Sequence, residues 1–332
     1  VQLGFGVDVR DLRWAHAADR PVGADLRRFA AACLGHADGD AEAGVDANEA
    51  PTLAGRLADA LVAVLEGRHD QGLEQLVLTA DDADRSNWDT PLGITPHSLA
   101  ALVAMWVGDL PAAVGLLERA VELDSGGEGE ARTHRLLAAY VGLLGGTSTD
   151  ALAVVEAGDE QTWPQRDRLL VAAIDAAIAR RSGDTQRLRD AWARSEAALL
   201  RPASSWLLLD PVLELLTAGA RLGDERRVTP VATALTEQMA TMPTTGAGPA
   251  AARWVDLQLA LARRDDDAVA VAAEAIAETD PTDPRSRARV VAARHWADLG
   301  GGTSDEDAAM AAMEALVPVG DGWEASRLLG QT

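Results

Sequence analysis

Tryptophan carries the strongest chemical signal in this sequence. Nine Trp stand beside one Tyr and two Phe, although a purely structural demand for aromatics would be met partly by Phe. An indole offers a flat apolar face for stacking on sugar rings and one N–H to fix orientation, and large aromatics are frequent binding anchors. Trp88, Trp163, Trp206 and Trp254 fall near the starts of corresponding helical segments, which predicts a ladder along one side. Polar residues accompany it: Asn87 and Asp89 beside Trp88, Asp167 and Arg168 after Trp163, Asp210 one turn beyond Trp206, and Arg253 and Asp256 around Trp254. The spacing of Trp206 and Asp210 puts both on one helical face. Aromatic platform, carboxylate and guanidinium together suit a polyhydroxylated small molecule. The candidate ligand-binding residues are therefore Trp88, Trp163, Asp167, Trp206, Asp210, Arg253, Trp254 and Asp256. Each polar member also has a plainer reading as a helix cap or ion-pair partner. Trp106, Trp192 and Trp296 lie inside apolar stretches and read as core, while Trp14 and Trp323, near the ends, read as docking or packing residues.

Other chemistry finds little support. His16, His36, His69, His97, His134 and His295 show no pair at metal-motif spacing. The runs Asp81-Asp82, Asp265-Asp266-Asp267 and Asp305-Glu306-Asp307 read as solvated turns and caps. All basic residues are Arg, which excludes a Lys-dependent phosphate loop, a Schiff base and a catalytic amine. Cys33 alone makes neither an internal disulfide nor a thiolate zinc cluster and reads as filler. With no serine elbow or dinucleotide fingerprint, the expectation is a non-enzyme with no catalytic residue, metal or cofactor. One enzymatic alternative stays open, an all-α glycoside hydrolase, because its acid and base carboxylates need not be close in sequence.

The elements that must position these residues are helices. Ala and Leu dominate and aromatics are 4% of the chain, a composition that favours helix over sheet. Short breaks recur at Gly67, Gly108, Gly145, Gly183, Gly223, Arg264 and Gly302, about 39 residues apart. That is longer than the ~34 residues of a tetratricopeptide unit and fits two helices with two connections. Helices before the breaks are expected at roughly 51–66, 92–107, 128–144, 164–182, 203–222, 248–263 and 284–299, and amphipathic partners follow, such as Leu110 to Val121 after an Asp109 cap and a first-turn Pro111. Gly-, Asp-, Thr- and Pro-rich segments at 36–52, 79–96, 124–130, 241–249 and 279–284 read as loops. The expected fold is all-α, a right-handed α-solenoid of about seven TPR-like antiparallel helix pairs forming one domain over residues 1–332. Residues 1–50 are an irregular or partial first unit and 51–332 the regular repeats.

The formal charge of −22, from 52 acidic against 30 basic residues, would repel a nucleic-acid backbone, so direct DNA binding is not expected. The longest strongly apolar stretch, Ser98 to Val107, is too short to span a bilayer, and no cationic start precedes a cleavable hydrophobic segment; the expectation is a cytoplasmic protein without a membrane partner.

At Ser204-Ser-Trp-Leu-Leu-Leu-Asp-Pro211, followed by Leu213, Leu216 and the Gly223-Asp224 break, the chain resembles the C-terminal sensor region of large actinobacterial LuxR-type and maltose-regulator-like ATPase transcription factors. Gly322-Trp-Glu-Ala-Ser-Arg-Leu-Leu-Gly330 looks like the segment that closes such arrays. The resemblance spans roughly residues 50–332 and its motifs are diffuse. It implies a ligand-sensing domain that receives a small polar inducer, a disaccharide such as trehalose, and controls flanking ATPase and DNA-binding modules, with self-association as a further option. The competing reading is a TPR-like scaffold whose groove takes a peptide or partner helix.

Overall fold

The computed structural model describes residues 2–3, 7–8, 21–36, 52–86, 94–146, 163–199, 206–243, 248–300 and 306–329. Apart from two paired two-residue strands, Gln2–Leu3 and Val7–Asp8, the regular structure among the described residues is helical. In chain order the helices are α1 (Pro21–Cys33), α2 (Leu53–Leu65), α3 (His69–Ser86), α4 (Pro96–Val107), α5 (Leu110–Glu122), α6 (Gly127–Leu144), α7 (Gln165–Ser182) and α8 (Thr185–Arg194). A single turn, α9 (Glu196–Leu199), and a 3₁₀ segment (Trp206–Leu208) precede α10 (Leu209–Arg221), α11 (Glu225–Ala240), α12 (Gly248–Arg263), α13 (Asp266–Ala277), α14 (Pro284–Gly300), α15 (Glu306–Leu316) and α16 (Gly322–Leu329). No described helix is long and apolar enough to cross a membrane.

Local chemistry sets these boundaries. Free amides at helix starts need acceptors, and side chains supply them: Asp109 accepts from Ala112 N at 3.1 Å, Asp184 from Arg187 N at 3.0 Å and Asp265 from Ala268 N at 3.0 Å. At helix ends the chain reverses through a left-handed residue, which costs glycine nothing; Gly108 (φ 92°) and Gly183 (φ 74°) take that role. After α12 the same turn falls to Arg264, at φ 58°. The loop expected at 79–96 is shorter than its composition suggested. Acidic residues in 81–84 continue α3 to Ser86, because Arg119 pairs with both Asp81 and Asp84 and holds that last turn against α5.

Burial divides the helices into two classes. Every residue of α4 is buried, whereas α5 buries only Leu110, Ala113, Leu117 and Ala120. A helix apolar on all sides must be surrounded, and one with a single stripe lies at the surface. Helices that precede a break (α2, α4, α6, α7, α10, α12 and α14) are therefore inner, and those that follow it are outer.

The inner helices contact one another in sequence: α4 with α6, α6 with α7, α7 with α10, α10 with α12 and α12 with α14. The series then closes, because α14 also touches α4. Arg285 Nη1 donates to Met105 O at 3.1 Å across this seam, and His69 Nε2 lies 3.2 Å from Thr282 Oγ1 beside it. The approach is tight enough that a Cβ on Gly108 would lie 2.8 Å from that of Val319. The segment read as irregular supplies α1, which packs on α2 and accepts a hydrogen bond at Ala32 O from Trp206.

Candidate functional site

The closed series of inner helices surrounds a small polar cavity of about 50 Å³. Tyr140, Arg180, Asp210, Glu214, Trp254, Gln258, Arg285, Arg289, Asp321, Trp323 and Glu324 line it, contributed by α6, α7, α10, α12, α14, the turn before α16 and the first turn of α16. Ala and Leu elsewhere on these helices let the backbones approach, so charged side chains aimed inward are forced together.

The charges pair except at Arg181, which lines the same cavity and donates to Leu143 O at 2.6 Å. Arg285 binds Asp210 through Nη1 and Asp321 through Nη2 at 2.7 Å, while Arg289 donates from Nε to Asp321 at 2.9 Å and from Nη2 to Asp210 at 3.3 Å. Beside them Arg180 grips Glu214 with two bonds, at 2.6 and 2.9 Å, and stands 3.5 Å from Glu324, which also accepts from Arg327 at 2.8 Å. Four guanidiniums thus face four carboxylates. For Asp321, burial alone would raise the pKa, but Arg285 and Arg289 outweigh it and hold the carboxyl well below the usual range. For Arg285, burial opposes the charge, and Asp210 and Asp321 overcome it and raise the pKa. Arg289 stacks over the Trp254 ring at 4.9 Å and Arg180 over Trp323 at 5.6 Å.

Two donors at this cavity have no hydrogen-bond partner, Trp323 Nε1 and Gln258 Nε2, and Arg180 Nη1 has only the 3.5 Å ion-pair contact with Glu324. Buried donors of this kind cost free energy unless an acceptor meets them. Together with two indoles and Tyr140, they match what an oxygen-rich small molecule requires. The volume is far below the ~300 Å³ at which ligand pockets usually begin, so a sugar would have to widen it.

The ladder read from sequence is only partly assembled. Asp210 and Trp254 line the cavity together. Trp206 is fully buried and offers no face to a ligand: its Nε1 donates to Ala32 O at 3.0 Å, and its ring packs edge-on against Trp106 at 5.0 Å. Asp167, also fully buried, is held by Arg132 at 2.9 Å, Thr133 at 2.8 Å and Arg166 at 3.2 Å. Trp163 lies half-buried under the Arg132 guanidinium, 5.1 Å away, as part of that network. Arg253 and Asp256 pair with each other at 3.8 Å on the exposed side of α12, away from the cavity. Trp88, with Asn87 and Asp89, lies outside the described residues. Among the described residues no group of three or more His, Cys, Asp or Glu is arranged to hold a metal.

Arg285, Arg289, Asp321 and Trp323 were missed. A signal existed in Arg285 and Arg289, which put two cations on one face of an inner helix, where only a buried carboxylate pair could balance them. Trp323, set aside as a terminal packing residue, stands at the cavity. Comparison with known proteins adds no identification: no family model, curated protein or solved structure matches this chain.

Proposed function

We propose that the chain is the inducer-binding region of a transcription regulator, a right-handed TPR-like array of helix pairs coiled around a pocket for a small polar ligand, with a disaccharide such as trehalose the first candidate. In this reading the protein acts in the cytoplasm and does no chemistry on its ligand; its effect passes to flanking ATPase and DNA-binding modules. The observation that carries the proposal is the pair of unpartnered donors at one cavity, Trp323 Nε1 and Gln258 Nε2, beside the Trp254 ring. Hydroxyl oxygens would satisfy those donors, and Glu214 or Asp210 would accept in return. Because the cavity of about 50 Å³ is too small for a disaccharide, the ligand binds only a wider arrangement. Preference for one of two arrangements is what allows a ligand to shift a population and so to signal.

Calorimetry of the full chain against trehalose, maltose, sucrose and glucose tests the proposal. One sugar should bind saturably, and Trp323→Phe, which keeps an aromatic face of smaller size and removes the N–H, should weaken that binding by about tenfold while the melting temperature holds. Absence of binding by all four sugars to well-folded protein refutes the sugar reading. Consumption of a sugar replaces it with the hydrolase.

A further inference from the structure

One wall of the central cavity differs in kind from the others. Tyr140, Arg180, Asp210, Trp254 and Arg285 come from inner helices that pack on one another, whereas Trp323 and Glu324 come from the first turn of α16, which packs on α15 and touches α14. A helix this short has little apolar surface to bury. Among its described side chains only Ala325 and Leu328 are hydrophobic and buried, while α12 buries Trp254, Val255, Leu257 and Leu259 among others. Elements with few buried apolar contacts are the ones that open locally at least cost.

Polar contacts therefore decide where α16 sits, and they loosen along the chain. Asp321, just before the helix, accepts from Arg285 at 2.7 Å and from Arg289 at 2.9 Å, which fixes that point to α14. Beyond it, Glu324 stands 3.5 Å from Arg180, Arg327 donates to Gln258 Oε1 at 3.2 Å, and the Trp323 ring lies 5.6 Å from the Arg180 guanidinium. Between the firm and the loose part is Gly322, where a Cβ would meet nothing within 4 Å, so the backbone has room to turn. The closed position is also poorly satisfied, because Trp323 Nε1 and Gln258 Nε2 are buried there without partners. Arg327 brings a further cation toward Arg180 and Arg221; burial, then those like charges on either side, pull the Arg221 pKa down to about 10. Glu324, which accepts from Arg327 at 2.8 Å and faces Arg180, is the α16 carboxylate that offsets this repulsion.

We propose that α16 is a lid on the central cavity, pivoting at Gly322 while Asp321 stays bound to Arg285 and Arg289, and that its outward swing is the wider arrangement a ligand enters. The swing carries Trp323 and Glu324 away from the cavity and releases Gln258 from Arg327. It leaves α4 and α14 joined, so the ring of inner helices stays closed while its centre opens. The lid rests on the reading of this cavity as a ligand site for its purpose, but its motion is an equilibrium of the chain alone and is measured without ligand.

Thiol labelling of the full chain provides the test. Thr217→Cys is a near-isosteric change on α10 at a cavity-lining position that is 3% exposed, and its reaction with iodoacetamide under native conditions, read by peptide mass spectrometry apart from Cys33, reports access to the cavity. Adding Glu324→Gln leaves Arg327 facing Arg180 and Arg221 and should speed that reaction about tenfold, as the loss of a charged hydrogen-bond pair implies. Adding Leu57→Ala instead removes a fully buried side chain from α2 and weakens the whole fold, yet should change the rate less than about twofold, because the lid opens without unfolding the rest. A rate that Leu57→Ala raises as much as Glu324→Gln does, or one that Glu324→Gln leaves unchanged, overturns the proposal. Labelling as expected in a chain that binds none of the four sugars upholds the lid and counts against the sugar reading alone.

Discussion

Removing the charge of Asp321 should show how much of the fold rests on its buried ions. In the parent, Arg285 and Arg289 face Asp210 and Asp321, all four being less than one-tenth exposed. Asp321→Asn keeps the shape and leaves two guanidiniums sharing one carboxylate in the interior. Breaking one partner of a buried pair in this way costs about 3–5 kcal/mol. With an unfolding entropy of about 2.1 cal/mol/K per residue, the 332-residue chain has roughly 0.7 kcal/mol/K at its midpoint, so the melting temperature should fall by about 4–7 °C. Glu225→Gln is the control, because it breaks the exposed pair with Arg263, worth under about 1 kcal/mol and so roughly 1 °C. Adding Arg289→Gln to Asp321→Asn rebalances the interior and should recover at least half of the loss. The folded pKa of Asp321 is depressed, so its stabilisation is present above the ordinary aspartate value of about 3.9 and fades as pH falls below it. The variant should therefore lose less stability than the parent on acidification below that value. Calorimetric melting of the four proteins decides the matter: an Asp321→Asn midpoint within about 1 °C of the parent would refute the argument.

Two further outcomes follow from the geometry. Trp206→Ala should cost about 3–5 kcal/mol in urea unfolding, because it empties a fully buried site and strips the donor from Ala32 O, yet sugar affinity per folded molecule should change less than about twofold. His134, whose pKa burial, then His97 and Arg166, push down to about 4 from 6.5, stays neutral in the fold while the unfolded chain gains a proton. Its contribution is thus present above pH 6.5 and is lost by up to about 3 kcal/mol as pH falls to 4; His134→Gln should flatten the urea midpoint over that window.

Helix positions were legible because each boundary is local. The expected 248–263 and 164–182 segments differ from α12 and α7 by no more than a residue, since Gly183, Arg264 and the Asp caps act within one turn of themselves. Partnership across the molecule was not legible in the same way. Asp210 meets Arg285 across 75 residues and Arg289 across 79, and no period of about 39 residues reveals that the last inner helix returns to α4. The tryptophan ladder failed for a related reason. Spacing places Trp206 and Trp254 at equivalent ends, but only the tertiary packing decides that one meets Trp106 while the other faces the cavity. Trp323 follows the last marked break, at Gly302, and comes to the cavity just after the turn at Asp321.

The seam between α4 and α14 also bears on the order in which such a chain assembles. An open row of helix pairs can nucleate anywhere, propagate in both directions and fray from its ends. Here Met105 and Arg285, joined by a hydrogen bond, are 180 residues apart in the chain, and bringing such distant points together costs roughly 4–5 kcal/mol of chain entropy before any contact repays it. Chain entropy therefore favours forming that contact after the intervening pairs have shortened the distance. A protease cut that detached α14 to α16 would leave the Met105 carbonyl without its donor, Asp210 without either arginine, and the buried face of α4 in water. Loss of the C-terminal helices would therefore be felt directly at α4, whose Met105 is 180 residues earlier in the chain than its partner Arg285.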